Sequence, residues 1–176
     1  GGTRAGRVRA DQAHLAMAFG APGATAPDHH AARLFADLVG GGASSRLFQA
    51  VREERGLAYS VWASLSAYPD CGLFYLYAAT APRAAAAAAG LVEEVVAQAA
   101  LDASPRELER VRTQARAGLL MSLETSWGQS AYVARALAIY GHLVEPAEVI
   151  GQLEAVTLDQ LRAAGAAMLA GPKAHA

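Results

Sequence analysis

The chain has 176 residues and a formal net charge of −1, and its pI is about 6.6. Hydrophobic residues make up 53% of it and charged residues 18%, which excludes an intrinsically disordered chain and predicts one globular domain. The balanced charge offers no basic surface, so neither nucleic acid nor an anionic membrane is expected as a partner. No uninterrupted apolar run reaches the roughly 20 residues of a membrane-spanning helix.

The chain opens with a polar, basic segment, residues 1–12, which indicates a linker or edge segment and not a signal peptide. A single domain is therefore expected over residues 13–176. At its start, the alternation of apolar and polar residues in Ala13–Gly20 predicts a half-buried strand. A helix over residues 28–40 follows, with Asp28 as a plausible N-cap.

Three glycines, Gly40–Gly42, end this first helix. A short helix is predicted next, over Ser45–Arg55, with Leu47, Phe48 and Val51 on one face. Gly56 then stands where a helix end favours a left-handed residue.

A β-hairpin is the clearest prediction in the chain. Its first strand covers residues 58–67, and its turn contains Pro69 and Asp70. The return strand, residues 73–81, is apolar on both faces, as is typical of a central strand. One face of the first strand is expected to hold Tyr59, Val61, Ala63 and Leu65.

Helices are predicted throughout the second half. They begin with the alanine-rich stretch 82–102, and capping boxes at Ser104–Glu107 and Thr157–Gln160 start two more. Another helix is expected to begin near Ser126 and to end at Gly141. A final strand after the last helix is expected to be missing or to lie beyond the chain's end. This order predicts an α+β fold, an antiparallel-leaning sheet with helices packed against it.

No simple sequence motif predicts a catalytic or metal site in this chain. The neighbouring His29 and His30 have no acidic residue three or four positions later, and no zinc-peptidase histidine motif occurs, so no metal site is expected. Ser44 and Ser45 are interpreted as helix-capping residues. Cys71 is the only cysteine, which excludes an intramolecular disulfide, and it is interpreted as a small, partly buried residue.

Arg52 and Tyr59 form the one suggestive pair. Arg52 lies late in the short helix, and Tyr59 opens the next strand after the turn at Gly56. The turn would bring a fork of guanidinium donors and one phenol donor towards the same point, which suits a peptide carbonyl or a developing oxyanion. The alternative is a solvent-facing arginine beside a half-buried tyrosine, and the residues alone favour it.

The stretch LVGGGASSRLFQAVREERGLAYSVWASLSAYPDCGLFYLYAATAP resembles the C-terminal half of the pitrilysin, insulinase and mitochondrial processing peptidase family of zinc metallopeptidases. The resemblance continues in SPRELERVRTQARAGLLMSLE and VTLDQLRAAGAAML. It implies one metallopeptidase half with the LuxS/processing peptidase-like fold, in a protein whose two halves close around a peptide.

The resemblance also implies where the chemistry lies. Zinc is expected in an N-terminal partner half, in the same polypeptide or on another subunit, and no cofactor is expected in this chain. Arg52 and Tyr59 would contact the substrate backbone near that zinc, and Gly40, Gly41 and Gly42 would lie along the substrate. A dimer is compatible with this arrangement, and a cytoplasmic location is weakly favoured.

Two other functions stay open from the sequence. One is a non-catalytic structural or assembly subunit of the same fold, which would have no need of the Arg52–Tyr59 pair. The other is an unrelated α+β binding module, which the absence of a basic stripe disfavours.

Overall fold

The structure, a computed structural model, describes residues 11–176. The predicted segment 1–12 therefore lies outside the described residues except for its last two. The elements follow in this order: β1 (Ala13–Ala21), α1 (His29–Gly40), a short helix of wide π type (Phe48–Glu54), β2 (Ala58–Ala67), β3 (Gly72–Thr80), α2 (Ala85–Asp102), α3 (Pro105–Ser122), α4 (Ser126–Tyr140), α5 (Pro146–Ala155), α6 (Leu158–Ala170) and β4 (Lys173–His175). The predicted α+β class is confirmed.

The four strands form one antiparallel sheet in the order β2-β3-β1-β4. β3 lies between β2 and β1, as its apolar composition predicts. The expectation that no final strand would be found is wrong, because β4 pairs with β1 through Met17 and His175. Three residues carry too little local pattern to be recognised as a strand, and this one forms through pairing with a distant segment.

The helices cover one face of the sheet. α1 packs on β2, and α2 and α6 pack on β1. Phe35 of α1 and Phe74 of β3 meet edge to face in the core, with ring centroids 5.9 Å apart. On the opposite sheet face, Trp62 lies against the ring of Tyr77 and remains partly exposed.

Several helix boundaries confirm the sequence signals. Both capping boxes form, at the starts of α3 and α6, and Gly141 ends α4 in a left-handed conformation. Asp28 precedes α1, but its side chain makes no capping hydrogen bond. α5 is an addition to the predicted elements. Its N-cap, Glu145, makes no side-chain cap, although Pro146 at the first helical position and Glu148 in the first turn are typical of a helix start.

One helical stretch, Pro82–Asp102, is long and apolar enough to span a bilayer by length and composition. This corrects the expectation that no segment reaches that length. The helix packs against α6 and α1, and its buried side includes Val92, Val96 and Ala99. This side joins the hydrophobic core, while only 33% of the apolar window is buried, and length and composition alone are weak evidence for a membrane span.

Candidate functional site

The candidate site begins with the short helix after the glycine loop. Ser45 is buried at its start, where its hydroxyl accepts a hydrogen bond from the Phe48 amide at 3.5 Å, in agreement with a capping role. At the other end, Gly56 has a φ of +59°. The Leu57 amide donates to the Val51 carbonyl at 2.9 Å, the long hydrogen bond of a Schellman turn. The predicted left-handed glycine is thus confirmed.

Tyr59 is placed by an irregularity at the start of β2. Ala58 pairs with Thr80, but the next paired residue is Ser60, so Tyr59 is the extra residue of a β-bulge. The bulge turns its side chain outward, and 78% of Tyr59 is exposed. The prediction that Tyr59 shares the buried face of Val61 is therefore wrong, because simple alternation breaks down at a bulge.

Thr80 fixes the chain just before this bulge. Its hydroxyl donates to the Leu57 carbonyl at 2.5 Å, and the residue is buried at the end of β3. It pairs with Ala13 on one side and Ala58 on the other. The backbone that leads into Tyr59 is consequently anchored to a buried residue in the middle of the sheet. The only sequence signal for Thr80 is its position at the end of an apolar strand, which does not predict this role.

Arg52 and Tyr59 come together as predicted. The Arg52 guanidinium carbon lies 5.5 Å from the Tyr59 ring centroid and 4.7 Å from the Phe48 ring centroid. Such positions permit cation–π attraction to both rings. The closest carboxylate approach among the described residues is to Glu53, at 3.8 Å from Nε, which is too long for a hydrogen bond. The Arg52 guanidinium is thus held by the faces of two aromatic rings, and its N–H groups remain available to donate to a ligand.

A second arginine anchors the loop that leads to this helix. Arg46 donates from Nε to Oε1 of Glu107 at 2.6 Å, and it also pairs with Asp102. Hydrogen bonding from Arg46 is the main cause that lowers the pKa of Glu107 to about 2. These bonds tie the glycine loop to the start of α3. No local pattern signals the role of Arg46, because its partners lie 56 and 61 residues away.

The three glycines have different surroundings. Gly40 is buried against β2, where a Cβ would lie only 2.1 Å from the Ala63 amide nitrogen. Gly41 and Gly42 are exposed, and Gly42 has a φ of +149°. Close helix–strand packing therefore accounts for Gly40. A role of the loop along a substrate stays a prediction, and only Gly41 and Gly42 are accessible for it.

The other chemical candidates do not assemble into a site. Within residues 11–176, no group of three His, Cys, Asp or Glu side chains is placed to hold a metal ion. His29 and His30 stack edge to face with ring centroids 5.2 Å apart, and their two Nδ1 atoms are buried. Cys71 is exposed in the hairpin turn, which corrects its interpretation as partly buried.

Comparisons with known proteins show which family the chain resembles. The family model described as "Peptidase M16 inactive domain" matches residues 3–115. An uncharacterized zinc protease of Mycobacterium leprae is 33% identical over 159 residues, covering 90% of this chain and 36% of that protein. Another from Bacillus subtilis is 30% identical over 152 residues, covering 86% of this chain and 37% of that protein. The chain thus spans about a third of the length of these relatives.

A solved structure supports the same fold. The peptidase M16 inactive domain from Pseudomonas fluorescens superposes with a TM-score of 0.79 at 24% identity, covering 94% of this chain and 40% of that one. Its fold is α+β with the same mixed layer of helices on an open sheet. The chain belongs to the peptidase M16 family of zinc protease-like proteins, as its inactive, C-terminal domain.

Proposed function

We propose that this chain is the substrate-binding half of a zinc-dependent endopeptidase. In this proposal Arg52 and Tyr59 bind backbone carbonyls of a peptide beside the scissile bond, and the zinc belongs to an N-terminal partner half. Membership of the family supports the general role. The observation that supports the specific role in binding backbone carbonyls is the stacked, outward-facing Arg52–Tyr59 pair.

Both side chains have donors to offer. Arg52 presents a planar fork of N–H groups, and its side chain is 41% exposed. The phenol of Tyr59 makes no hydrogen bond to any residue from 11 to 176 in the hydrogen-bond network. A carbonyl oxygen that gains negative charge during peptide cleavage would accept from the phenol, while the guanidinium holds a neighbouring carbonyl. Preorganised donors of this kind stabilise the charge that develops in the transition state.

The described residues do not fit a zinc site of their own. The two buried imidazoles, His29 and His30, lie on α1 without an acidic partner that could complete a ligand set. The chain would therefore contribute substrate contacts alone, and the metal would be supplied by the half that faces it. Gly41 and Gly42, the exposed part of the glycine loop, would lie along the same peptide.

The test uses the full-length protein that contains this domain. Tyr59→Phe removes only the hydroxyl and should lower kcat for a cleaved peptide by about 10²–10³-fold, as for other oxyanion donors, with a small change in KM. Tyr68→Phe is the matched control, because Tyr68 is also exposed but lies at the other end of β2. Its kcat should equal that of the wild type.

Arg52 is tested by a charge-conserving change. Arg52→Lys keeps the positive charge but loses the planar fork, so we expect a higher KM and a lower kcat/KM. Arg55→Lys, in the exposed turn after the helix, serves as its control. Wild-type cleavage by both Tyr59→Phe and Arg52→Lys would reject the proposal and favour the non-catalytic, structural alternative.

A further inference from the structure

A polar pocket lies between α1, the far end of β2 and α4. Its volume is about 420 Å³, which is within the range of small-molecule sites. The charged residues that line it are Arg33 and Asp37 of α1 and Arg135 of α4. The pocket thus contains two full positive charges against at most one negative charge, and this balance favours an anionic ligand.

Arg33 differs from the other half-buried arginines in the described part of the chain. Each of those donates hydrogen bonds from its guanidinium group; they are Arg46, Arg110, Arg112 and Arg162. Among residues 11–176, Arg33 makes neither a side-chain hydrogen bond nor an ion pair, and the same is true of Arg135. A half-buried charge without a partner costs free energy, and a bound anion would offset that cost.

His29 adds a third donor to the same pocket. The residue is buried, and its side chain makes no hydrogen bond within residues 11–176. Its Nδ1 atom is covered and has no partner there, so a proton on Nδ1 would be a buried donor without an acceptor. The neutral imidazole therefore carries its proton on Nε2, the ring nitrogen left to face the pocket that His29 lines.

Both arginines act on this imidazole. Burial is the main cause that lowers the pKa of His29 to about 4, and the charges of His30, Arg33 and Arg135 contribute to the decrease. Because the interaction between charges falls with distance, both guanidinium groups must lie near the ring to have this effect. The three donors therefore point to one anionic group and not to three separate ones.

Two tyrosines fix the walls of the pocket. Tyr132 donates to the Val144 carbonyl at 2.9 Å, and Tyr140 donates to the Ala24 carbonyl at 3.2 Å. These bonds tie α4 to the loop before α5 and to the loop before α1. Both phenols thus have acceptors within the protein, whereas the two guanidinium groups and the imidazole remain free to bind a ligand.

Asp37 limits the charge that the ligand can carry. It is the acidic residue that lines the pocket, and burial raises its pKa while the charge of Arg33 opposes this shift. When ionised, its carboxylate repels a phosphate dianion more strongly than a carboxylate with one charge. A planar carboxylate also matches the fork of donors on a guanidinium group. The pocket therefore suits a carboxylate better than a phosphate.

We propose that this pocket binds a small organic carboxylate, whose oxygens accept hydrogen bonds from the Arg33 and Arg135 guanidinium groups and from the His29 imidazole. The remainder of the molecule would contact other lining residues, among them Leu65 and Ile139. A peptide C-terminus and a free organic acid share this chemistry. The inference does not depend on the function proposed above, because none of these residues belongs to the Arg52–Tyr59 pair.

The first experiment compares an acid with its neutral amide. N-acetyl-leucine and N-acetyl-leucinamide are titrated into the full-length protein that contains this domain, and calorimetry measures their affinities. We expect the acid to bind about tenfold more tightly, because the amide loses the charge-assisted hydrogen bonds. Inorganic phosphate should bind more weakly than the acid. Equal affinities for acid and amide, or tighter binding of phosphate, would overturn the proposal.

The second experiment removes the guanidinium groups one at a time. Arg33→Gln and Arg135→Gln should each weaken the binding of N-acetyl-leucine by about tenfold. Arg106→Gln is the matched control, because Arg106 is an exposed arginine at the start of α3 and does not line the pocket. Wild-type affinity in both pocket variants would exclude the site.

Thermal unfolding separates a ligand-binding arginine from a structural one. Without ligand, Arg33→Gln should unfold at the wild-type Tm or above it, because the change removes a half-buried charge that has no partner. N-acetyl-leucine should raise the Tm of the wild type and leave that of Arg33→Gln unchanged. A lower Tm of Arg33→Gln without ligand would show that Arg33 is already paired in the full-length protein and would overturn the proposal.

His29 reports where the acid binds. Its imidazole NMR signals should shift when N-acetyl-leucine is added, whereas those of the exposed His142 should not. Unmoved His29 signals at a saturating concentration of the acid would overturn the proposal.

Isovalerate identifies the source of the carboxylate. It has a carboxylate and a branched apolar chain but no peptide group. Binding as tight as that of N-acetyl-leucine would support the site and identify a free organic acid as its ligand. Binding about tenfold weaker would support the site and identify a peptide C-terminus, because the peptide group then contributes contacts of its own.

Discussion

Arg46 and Glu107 form a two-pronged ion pair across 61 residues of sequence. Nε of Arg46 donates to Oε1 at 2.6 Å and a terminal nitrogen donates to Oε2 at 2.8 Å. The same carboxylate accepts from the Ser104 amide in the capping box of α3. One carboxylate thus both starts a helix and anchors the loop that precedes the candidate site.

Replacing this carboxylate should destabilise the chain. In Glu107→Gln the charge-assisted bonds become neutral ones, and we expect the free energy of unfolding to fall by about 1–2 kcal/mol, discounted for partial exposure. Urea unfolding at pH 7 measures it. Glu109→Gln, which removes an exposed carboxylate paired with Arg112, should change stability by less than about 0.5 kcal/mol.

The same pair predicts a pH dependence. The pKa of Glu107 is about 2 in the folded chain against an ordinary 4.5, chiefly because of hydrogen bonding from Arg46. The contribution of Glu107 to the free energy of unfolding is therefore fully present above pH 4.5 and is lost as the pH falls through 2. The loss of stability over this range should be smaller in Glu107→Gln than in the wild type. Parallel pH curves for the two proteins would contradict the prediction.

His29 should make the fold sensitive to mild acid. It is only 8% exposed, and burial is the main cause that lowers its pKa from 6.5 to about 4. The neutral imidazole is favoured in the folded state, so stability is complete above pH 6.5 and falls as the pH drops towards 4, by about 3 kcal/mol at most. His29→Gln should flatten this part of the pH–stability curve.

The exposed His142 provides the control for this prediction. His142→Gln should keep the wild-type slope between pH 6.5 and 4. His30 also has a lowered pKa, mainly through burial, so some slope should persist in His29→Gln. An unchanged slope in His29→Gln would show that this imidazole is protonated as readily in the folded chain as in the unfolded one.

Two glycine replacements should have opposite effects on stability. Gly40→Ala would drive a methyl group into the backbone of Ala63, and such overpacking costs about 1–3 kcal/mol. Gly90→Ala, on the exposed side of α2 with open space around it, should stabilise the chain by about 0.5–1 kcal/mol. Thermal unfolding compares them; a Gly40→Ala protein as stable as the wild type would refute the close packing of α1 on β2.

Phe48 should hold the Arg52 side chain in place. Phe48→Leu keeps an apolar residue but removes the ring under the guanidinium, and we expect a loss of about 0.5–1 kcal/mol of cation–π attraction. The Nε–H signal of Arg52 in NMR spectra should become more mobile and exchange faster with water. Phe48→Tyr keeps the ring and should preserve the wild-type signal, whereas identical signals in all three proteins would contradict the stacking.

The sequence predicts the parts of this fold that depend on local patterns. The hairpin and both capping boxes are visible because alternation, turn residues and the Ser104–Glu107 spacing act over a few positions. The orientation of Tyr59 was predicted incorrectly because a bulge leaves no mark in the alternation. Neither β4 nor the Arg46–Glu107 ion pair was predicted, because each forms only when segments that are distant in the sequence meet.

The turn at Gly56, which is local, predicts that Arg52 and Tyr59 come close together, but only the family resemblance implies a role for the pair. Their common orientation depends also on Thr80 and on Phe48, and neither residue carries a signal of that role in the sequence.

The hydrogen bond from Thr80 to Leu57 has a mechanical consequence. It joins the chain before the bulge to a buried residue that is paired with both β1 and β2, so the backbone next to Tyr59 is anchored to the middle of the sheet. The backbone that carries the phenol therefore moves together with the sheet. Under the proposed function, Tyr59 would approach or leave a peptide together with the sheet that anchors it.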